Sequence, residues 1–367
     1  MIRMELEDII IGKIQKEGPV SFHDFMEMCL YYPESGYYTS AQEQVGEAGD
    51  FLTSPYFTSL FGQLIARQLE EMWEIMGRNP FTVLEYGAGP GTLCRDILGA
   101  LKKNEPLYRD LRYCIIEKSA SMQRRERNML HEKVSWHQRI EEIPDMAGCI
   151  LSNELIDNFA VHQVVQEGEL MEVFVDYQGG FIELLKPASD TLKSYLDQLG
   201  VNLPDRFRTE INMEAIQWMK DIAHSLKKGF IMTIDYGFSS AGLYSEKRKN
   251  GTLMCYYRHS LNDNPYLNIG RQDITSHVNF SALVHWGSLH GMDCSGFTHQ
   301  AHFLQALGLS GYLKKMEMER PAEEQHEKEK LLHTFLMGMG TRLKVLIQQK
   351  GIRNGRLSGL QFAQPFV

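Results

Sequence analysis

Three glycines, each separated from the next by one residue, follow a short apolar run in the first third of the chain. The stretch reads VLEYGAGPGTL and places Gly87, Gly89 and Gly91 just after the acid Glu85. Glycine tolerates positive φ and lets a ligand approach the backbone closely, so such a turn is typical of nucleotide-cofactor sites. A purely structural strand-to-helix turn is the alternative, and the glycines alone do not decide between the two.

The spacing of the glycines disfavours cofactors that are held by their phosphates. A dinucleotide fingerprint needs glycine or alanine where the chain has Thr92, and a P-loop needs a lysine that does not follow here. S-adenosylmethionine (SAM) has no phosphate, and its α-ammonium group suits a carboxylate such as Glu85, directly or through water. The spacing and Glu85 therefore favour SAM over cofactors that contain a pyrophosphate. An NAD-dependent enzyme is the disfavoured alternative.

A second acid, Glu117, ends the next predicted strand after the apolar run YCII. An acid in this place accepts hydrogen bonds from ribose hydroxyls. Because that role is shared by NAD and SAM folds, Glu117 predicts a ribose without choosing the cofactor. A solvated carboxylate at a strand end is the other interpretation.

Polar residues also follow the fourth predicted strand, in ILSNELIDN, which contains Asn153, Glu154 and Asp157. The carboxyl ends of strands face the ligand crevice in an open α/β sheet, so we expect these residues near the reacting end of a cofactor. Two carboxylates on one face of a turn would clamp a guanidinium or orient an amine. Equally, Ser152 and Asn153 would cap a short helix whose first turn carries acids.

The segment AGDFLTSPYF precedes a long amphipathic helix that we predict over residues 56–76. Thr53, Ser54 and Pro55 form a good cap-and-proline start for that helix. The functional alternative is a lid that touches the cofactor from above.

Histidines give little indication of a metal or catalytic site. His299 and His302 have a spacing found in metal sites, but no third or fourth ligand is evident, so we predict no metal. His277 lies in the polar stretch GRQDITSHVNFSAL, where a lone histidine is more often structural. In the same stretch Asp273 and Thr275 would cap and stitch the loop.

The elements that would position these residues alternate between strands and helices after residue 81. We predict strands in FTVLEYG, LRYCIIEKS and KVSWHQ, a fourth that runs into a polar loop in AGCILSNELIDN, and a fifth at GFIMTIDYG. This order predicts an α/β fold with a parallel sheet and helices on both faces.

Other segments flank or interrupt that sheet. Residues 5–17 and 22–31 have helical patterns, and Ser21 suits the N-cap of the second helix. Residues 161–186 contain β-rich runs separated by glycine turns, which predicts inserted hairpins. Residues 322–349 are expected to be mostly helical.

Composition is that of a globular protein with 367 residues, 43% of them hydrophobic and 23% charged. The net charge of −9 argues against nucleic-acid binding by the molecule as a whole. No apolar run is long enough for a membrane span, and the N-terminus lacks the features of a signal or transit peptide. Six scattered cysteines suit a reducing compartment. From these features we expect a cytoplasmic protein.

Several motifs in a fixed order carry a resemblance to a known family. They are SFHDFMEMCLYYPESGYY, GDFLTSP, LEYGAGPGTL, SNELIDN, IDYGF and the pair GTLMCYYRH and QDITSHVNFSAL. Together they resemble the MidA-like family, whose mitochondrial members are complex I assembly factors that methylate a protein arginine. The resemblance covers roughly residues 18–300. It implies a class I SAM-dependent methyltransferase with a Rossmann-like, mostly parallel seven-stranded sheet, an N-terminal helical segment and an inserted substrate-side subdomain.

The resemblance also implies a division of the chain and a set of site residues. An N-terminal helical segment and cofactor lid would span residues 1–80, the SAM-binding core 81–160 and 229–367, and the insertion 161–228. Asn153, Glu154 and Asp157 match the motif at the reacting end. The positions that match cofactor-binding residues are Asp50, Thr53, Ser54, Pro55, Glu85, Gly87, Ala88, Gly89, Gly91, Glu117 and Asn153.

Two positions depart from the family pattern. Tyr56 replaces the acid that commonly follows Thr-Ser-Pro, and Ala160 replaces a proline after NELIDN. The first departure puts the handling of substrate in doubt, and the second alters loop rigidity more than chemistry.

The function expected from these features is transfer of a methyl group from SAM to a protein side-chain nitrogen, with arginine as the first candidate. The alternative is a SAM-binding assembly or interaction factor with little turnover. A protein substrate is expected, with no nucleic acid and no membrane. The acceptor and the oligomeric state, including a dimer, stay open.

Overall fold

A computed structural model describes residues 5–40, 55, 58–130, 133–319, 331–353 and 355–363, with side chains left out at 315–319. The chain divides into two compact units. The core unit comprises residues 52–155, 219–237 and 286–367, and the accessory unit comprises residues 1–51, 156–218 and 238–285. The segment boundaries inferred from the resemblance stay a prediction.

Strands and helices alternate through much of the chain. The strands are β1 Val20–Ser21, β2 Phe81–Tyr86, β3 Leu111–Ile116, β4 Val134–His137, β5 Ala147–Asn153, β6 His162–Glu167, β7 Glu169–Tyr177, β8 Phe181–Pro187, β9 Arg208–Ile211, β10 Lys228–Phe238, β11 Met254–Tyr257, β12 Ser260–Asn262, β13 Asp273–Thr275, β14 Val278–Asn279, β15 Asp293–His299 and β16 Leu343–Lys350. The helices are α1 Leu6–Glu17, α2 Phe22–Tyr31, α3 Leu60–Ile75, α4 Thr92–Leu101, α5 Glu105–Asp110, α6 Ala120–Met129, α7 Asp190–Gln198, α8 Met213–Ser225, α9 Ser240–Leu243, α10 Phe280–Leu289, α11 Gln300–Ala306, α12 Leu309–Glu319 and α13 Met339–Arg342.

The core unit contains a seven-stranded sheet with the order β15-β16-β10-β5-β2-β3-β4. Its neighbouring strands are parallel except where β16 pairs antiparallel with β10 and with β15. This arrangement confirms the predicted mostly parallel, Rossmann-like sheet. Registers align Tyr86 with Ile116 and Ser152, and Asn153 with Ile234, so four strands end at one edge.

The sheet of the core unit is buried by helices, as expected for parallel strands whose residues are apolar on both faces. Val83 of β2, Leu69 of α3 and Ile97 of α4 belong to one buried apolar cluster. Each such side chain contributes about 1.5–3 kcal/mol by leaving water. A Cβ on Gly62 of α3 would lie 2.5 Å from Cβ of Asp96, so glycine allows α3 and α4 to approach closely.

The prediction of a mostly helical segment over residues 322–349 is wrong for its last part. Residues Leu343–Lys350 form β16, which lies between β10 and β15. The run LKVLIQQK is short and buried along its first six residues. A short buried run fits a strand or a buried helix equally well, so periodicity did not identify it.

The accessory unit contains the predicted inserted hairpins. Strands β7, β6 and β9 pair in that order, with β1 and β8 also on β7, and all these pairs are antiparallel. Gly168 and Gly179 have φ of 70° and 77° in the two hairpin turns. A small sheet, β12-β11-β13, also belongs to this unit.

The helices α1 and α2 belong to the accessory unit. Ser21 caps α2, because its Oγ accepts the N–H of Asp24 at 3.1 Å. Phe25 packs against Phe181 and Tyr266 with ring centroids 5.3 Å away in both pairs. Within the described ranges, no helix has the length and apolar character needed to cross a bilayer.

Candidate active site

The glycine loop follows β2 and leads into α4. Gly87, Gly89 and Gly91 have φ of 65°, 56° and 84°, a region that side-chain-bearing residues seldom adopt. The loop is tied to the sheet because Gly87 N–H donates to the carbonyl of Ile116 at 2.9 Å. Gly91 N–H donates to the carbonyl of Ala88 at 2.9 Å, which closes the turn.

The three glycines have different surroundings. A Cβ on Gly87 would lie 2.7 Å from Leu155, and one on Gly91 would lie 3.1 Å from Leu130, so packing excludes side chains there. A Cβ on Gly89 would meet nothing within 4 Å. Gly89 therefore presents bare backbone to open space, as close approach by a ligand requires.

The side chain of Glu85 is buried beneath the loop, and only 2% of the residue is exposed. Its Oε2 accepts a hydrogen bond from the Tyr113 hydroxyl at 2.7 Å. Burial raises the pKa of Glu85 to about 7, the Tyr113 hydrogen bond opposes that rise, and the nearby Glu117 adds to it. A cation placed beside this carboxyl would favour its ionised form.

Glu117 lies just beyond the end of β3 and is partly buried. Its Oε1 accepts the N–H of Ser119 at 2.7 Å, and its carbonyl accepts a hydrogen bond from Gln123 at 2.9 Å. Burial raises the pKa of this carboxyl to about 7 against the effect of the Ser119 N–H. These contacts hold Glu117 in one orientation at the edge where the strands of the sheet end.

Asn153 and Glu154 stand at the end of β5 on the same edge. Glu154 has a φ of 51°, and its N–H donates to the carbonyl of Ile234 at 2.8 Å. Asn153 Nδ2 lies 3.2 Å from Glu154 Oε1, and the buried Oδ1 of Asn153 has no hydrogen-bond partner in the described part of the chain. Because Ser152 and Asn153 both belong to β5, neither caps a helix.

Asp235 was missed by the sequence analysis although it lies in β10, beside these residues. It is fully buried, its Oδ2 accepts the N–H of Leu155 at 3.2 Å, and its Oδ1 accepts the N–H of Tyr236 at 2.8 Å. The carboxylate therefore fixes the chain that follows Glu154. The signal was present, since an acid at the end of a central strand faces the crevice of an open sheet.

Asp157 lies in a short 3-10 turn, Ile156–Asn158, which belongs to the accessory unit. Only 5% of Asp157 is exposed, its Oδ1 accepts a hydrogen bond from Asn158 at 3.1 Å, and its carbonyl accepts the N–H of Ser276 at 2.9 Å. The carboxyl of Asp157 is therefore held in a fixed and dry position, which is what precise orientation of an amine or guanidinium needs.

Two further residues surround this turn within the accessory unit. The hydroxyl oxygen of Tyr38 lies 2.7 Å from Asn158 Oδ1 and 2.9 Å from Asp273 Oδ1. Burial and the charge of Asp273 raise the pKa of Tyr38 well above its usual range. Asp273 was expected only to cap its loop, and Tyr38 was seen only as one of several tyrosines. Three separate motifs of the resemblance thus meet here.

A family profile described as "Putative S-adenosyl-L-methionine-dependent methyltransferase" matches residues 64–298. That range is more than half of the chain and includes the glycine loop, β5 and Asp273. The chain belongs to this family. It is a SAM-dependent methyltransferase, as the resemblance implied.

Curated relatives of this methyltransferase are protein arginine methyltransferases from mitochondria. The NDUFAF7 homolog of Drosophila melanogaster is 26% identical and covers 93% of this chain and 84% of its own length. The mouse NDUFAF7 is 26% identical and covers 83% of this chain and 74% of its own length. The predicted cytoplasmic location is wrong, because these relatives are mitochondrial proteins.

A solved structure from Burkholderia thailandensis, described as a "likely methyl transferase" bound to S-adenosyl-homocysteine, has the same fold. It is 28% identical, with a TM-score of 0.89, and covers 98% of this chain and 95% of its own. The cofactor of the methyltransferase is SAM. The bare backbone at Gly89, the buried Glu85 and the Oδ1 of Asn153, which has no partner among the described residues, fit that ligand, which offers an ammonium group and ribose hydroxyls.

The remaining predicted positions are placed only in part. Asp50, Thr53, Ser54 and Tyr56 lie outside the described residues, whereas Pro55 is buried and helical. Ala160 is fully buried. Helix α3 begins at Leu60, within the span predicted for it.

The histidines considered as metal ligands are held by other contacts. His299 Nδ1 lies 2.8 Å from the carbonyl of Thr341, and its ring lies 5.7 Å from that of His302. Among the described residues, no group of three or more histidine, cysteine or acidic side chains is arranged to hold a metal ion.

Proposed function

We propose that this methyltransferase transfers the methyl group of SAM to a side-chain nitrogen of a protein, with arginine as the first candidate. The observation that carries the proposal is the similarity, over more than four fifths of the chain, to relatives named protein arginine methyltransferases. The buried acids of the accessory unit support it, because carboxylates recognise a planar guanidinium by paired charge-assisted hydrogen bonds.

The cofactor would be held by the residues that the sequence analysis assigned to it. Backbone at Gly87, Ala88, Gly89 and Gly91 would contact its amino-acid and ribose portions, Glu85 would face its ammonium group, and Glu117 would accept hydrogen bonds from its ribose hydroxyls. The resemblance also assigns Asp50, Thr53, Ser54 and Pro55 to this cofactor. When bound, SAM supplies a methyl group on a positively charged sulfur.

The acceptor would be handled by Asn153, Glu154 and Asp157. A guanidinium nitrogen attacks in line with the breaking carbon–sulfur bond, and the enzyme contributes mainly by positioning it. Asp157, fixed by Asn158 and the Ser276 N–H, would hold and partly neutralise the guanidinium. The attacking nitrogen loses one proton after methyl transfer, and a carboxylate in contact with it is a suitable acceptor.

Methyl transfer from labelled SAM into cell-extract proteins tests the proposal. We expect at least one labelled band, and mass spectrometry of that band is expected to locate the methyl group on arginine. Label on a lysine or histidine would agree with a protein substrate but would contradict arginine as the methyl acceptor. No labelled protein, together with tight SAM binding, would instead favour a SAM-binding factor.

A further inference from the structure

A third carboxyl lies behind the glycine loop, at a position to which no motif points. Glu126 of α6 is fully buried, and its Cα lies 3.7 Å from where a Cβ on Gly91 would be. Trp136 Nε1 donates to Glu126 Oε2 at 2.6 Å. Glu126 Oε1 is buried and has no hydrogen-bond partner among the residues that the structure describes. Such a buried polar atom is costly unless a ligand or a proton compensates it.

Glu126 is electrostatically coupled to the two acids already assigned to the cofactor. Both Glu117 and Glu85 disfavour its ionised form, and Glu117 likewise disfavours that of Glu85. The three acids come from three elements: Glu85 from β2, Glu117 from the end of β3 and Glu126 from α6.

The groups around these acids are mostly neutral. The donors that hydrogen-bond to these carboxyls include the Tyr113 hydroxyl, the Ser119 N–H and the Trp136 N–H. The thiol of Cys94 is buried near Glu85 and Glu126. The cations nearby, Lys118 and Arg127, affect the pKa of Glu117 and of Glu126 less than burial does.

We propose that Glu126 is a further residue of the cofactor site, where it acts with Glu85 and Glu117 to favour SAM over the product S-adenosylhomocysteine. SAM carries a positive sulfonium, whereas the product carries a neutral thioether. The proposal rests on the assignment of the cofactor to the glycine loop. Arrival of a cation beside the three carboxyls drives protons from them into solvent, so the cluster gains negative charge when SAM binds.

Protonation of the cluster near neutral pH supports this role. Burial raises the pKa of Glu85 and of Glu117 to about 7 and that of Glu126 to about 8. Around pH 7 the unliganded protein therefore holds protons on these groups for part of the time. An added positive charge within a few ångströms lowers such pKa values, and the protons are released on binding.

Comparison of SAM with its product isolates the effect of the sulfonium. Both molecules contain the same amino-acid and adenosine portions, so titration of the ligand's ammonium group contributes equally to both affinities. What differs is one methyl group and one positive charge. The ratio of the two dissociation constants therefore reports how strongly the cluster responds to that charge.

Calorimetric titration of the wild-type protein with SAM and with S-adenosylhomocysteine, at pH 6, 7 and 8 and in buffers of different ionisation enthalpy, tests the proposal. Near pH 7 we expect the binding of SAM to release about half a proton more than the binding of the product. The affinity for SAM relative to the product should therefore rise about threefold for each unit of increase in pH. Glu126→Gln should reduce this slope. Glu105→Gln, at an exposed position of α5, should leave it unchanged.

A ratio that does not change with pH, or an equal slope in Glu126→Gln, overturns the proposal. Should Glu126→Gln not fold, Trp136→Phe provides a second test. It removes the N–H that favours ionised Glu126, so the rise in SAM preference should move to higher pH. Failure of the underlying cofactor assignment has a different signature, because Gly89→Ala would then leave both affinities intact.

Discussion

One cluster of carboxyl groups in the core unit and one in the accessory unit have opposite kinds of partner. In the core unit, Glu85, Glu117 and Glu126 receive hydrogen bonds from neutral donors and have raised pKa values. In the accessory unit, histidines pair with acids. His23 lies 3.1 Å from Asp24 and 3.3 Å from Glu214, and its ring stacks on that of His162 at 4.7 Å.

This difference distinguishes carboxyl groups with a structural role from carboxyl groups that we expect to bind a cationic ligand. His162 Nδ1 lies 2.7 Å from Glu172 Oε1, so the second histidine of the stacked pair also has an acid beside it. Those acids are compensated within the protein. The acids beneath the glycine loop keep raised pKa values, which is the condition expected of a site that binds a cation. Substitutions in the two units should therefore have different consequences.

The largest effect is expected in the accessory unit, from Asp157→Asn. This change keeps the shape of the side chain and removes its charge, so turnover should fall about 10²–10³-fold through loss of acceptor positioning and proton transfer. The dissociation constant of SAM should stay within about threefold, since Asp157 is assigned to the acceptor. Steady-state kinetics and calorimetry measure the two quantities.

Asp197→Asn is a suitable control for that experiment, because Asp197 is exposed on α7 of the same unit. It should change neither quantity. Equal losses of turnover and of SAM binding in Asp157→Asn would move Asp157 into the cofactor site and contradict its assignment.

A smaller effect is expected from alanine at two glycines with similar backbones. Gly89 and Gly168 have φ of 56° and 70°, and a Cβ on either would meet nothing within 4 Å. Both substitutions should therefore destabilise the protein by about 1–2 kcal/mol through backbone strain. Only Gly89→Ala should also weaken the binding of S-adenosylhomocysteine, about tenfold or more, because the added Cβ would occupy the space of the ligand. Parallel thermal unfolding and calorimetry would reveal an equal loss of affinity in both variants, which would contradict this assignment.

A third prediction concerns the histidine pair of the accessory unit. Hydrogen bonds with Asp24 and Glu214 raise the pKa of His23 to about 9. A raised histidine pKa stabilises the fold fully below the unfolded value near 6.5 and loses that contribution as the pH rises through 9. His23→Gln should therefore cost about 1–2 kcal/mol at pH 6 and little at pH 9.5.

Chemical denaturation at the two pH values measures that difference. His224→Gln, at an exposed position of α8, should cost little at either pH. A loss of stability in His23→Gln that is the same at both pH values would show that shape, not charge, is what His23 contributes.

The smallest effect should have the opposite sign. Because burial raises the pKa of Glu126 from 4.5 to about 8, its ionisation opposes folding increasingly as the pH rises through that window. Glu126→Gln should leave stability unchanged at pH 4.5 and increase it by about 1 kcal/mol at pH 9, measured without ligand. Thus removing a group costs stability in one unit and adds it in the other. A loss of stability at pH 9 would contradict this comparison.

Local sequence was enough for the features that depend on neighbouring residues. The glycine loop, the strand before it and the cap at Ser21 are each specified by a few adjacent residues, and the structure has them as predicted. Thr92 was the residue that disfavoured a dinucleotide as the ligand of the loop.

Features created by tertiary packing were not predictable in the same way. Glu126 looks like any polar residue in QRRERNML, and only the approach of Gly91 and Trp136 makes it buried. Tyr38, Asn158 and Asp273 come from three distant segments, so nothing in any one of them indicates their contact. Strand β16 was missed because its buried run has no helical or alternating period.

The position of β16 has a consequence for how the chain folds during synthesis. Strand β15 is made before β16, yet β16 lies between β15 and β10 in the sheet. Until residue 350 has left the ribosome, β15 has no place in the sheet, and the edge of β10 that β16 will cover stays open. An open edge of this kind pairs readily with other chains. The nascent methyltransferase therefore passes through a stage, late in translation, at which this edge of β10 is exposed to pairing with other chains.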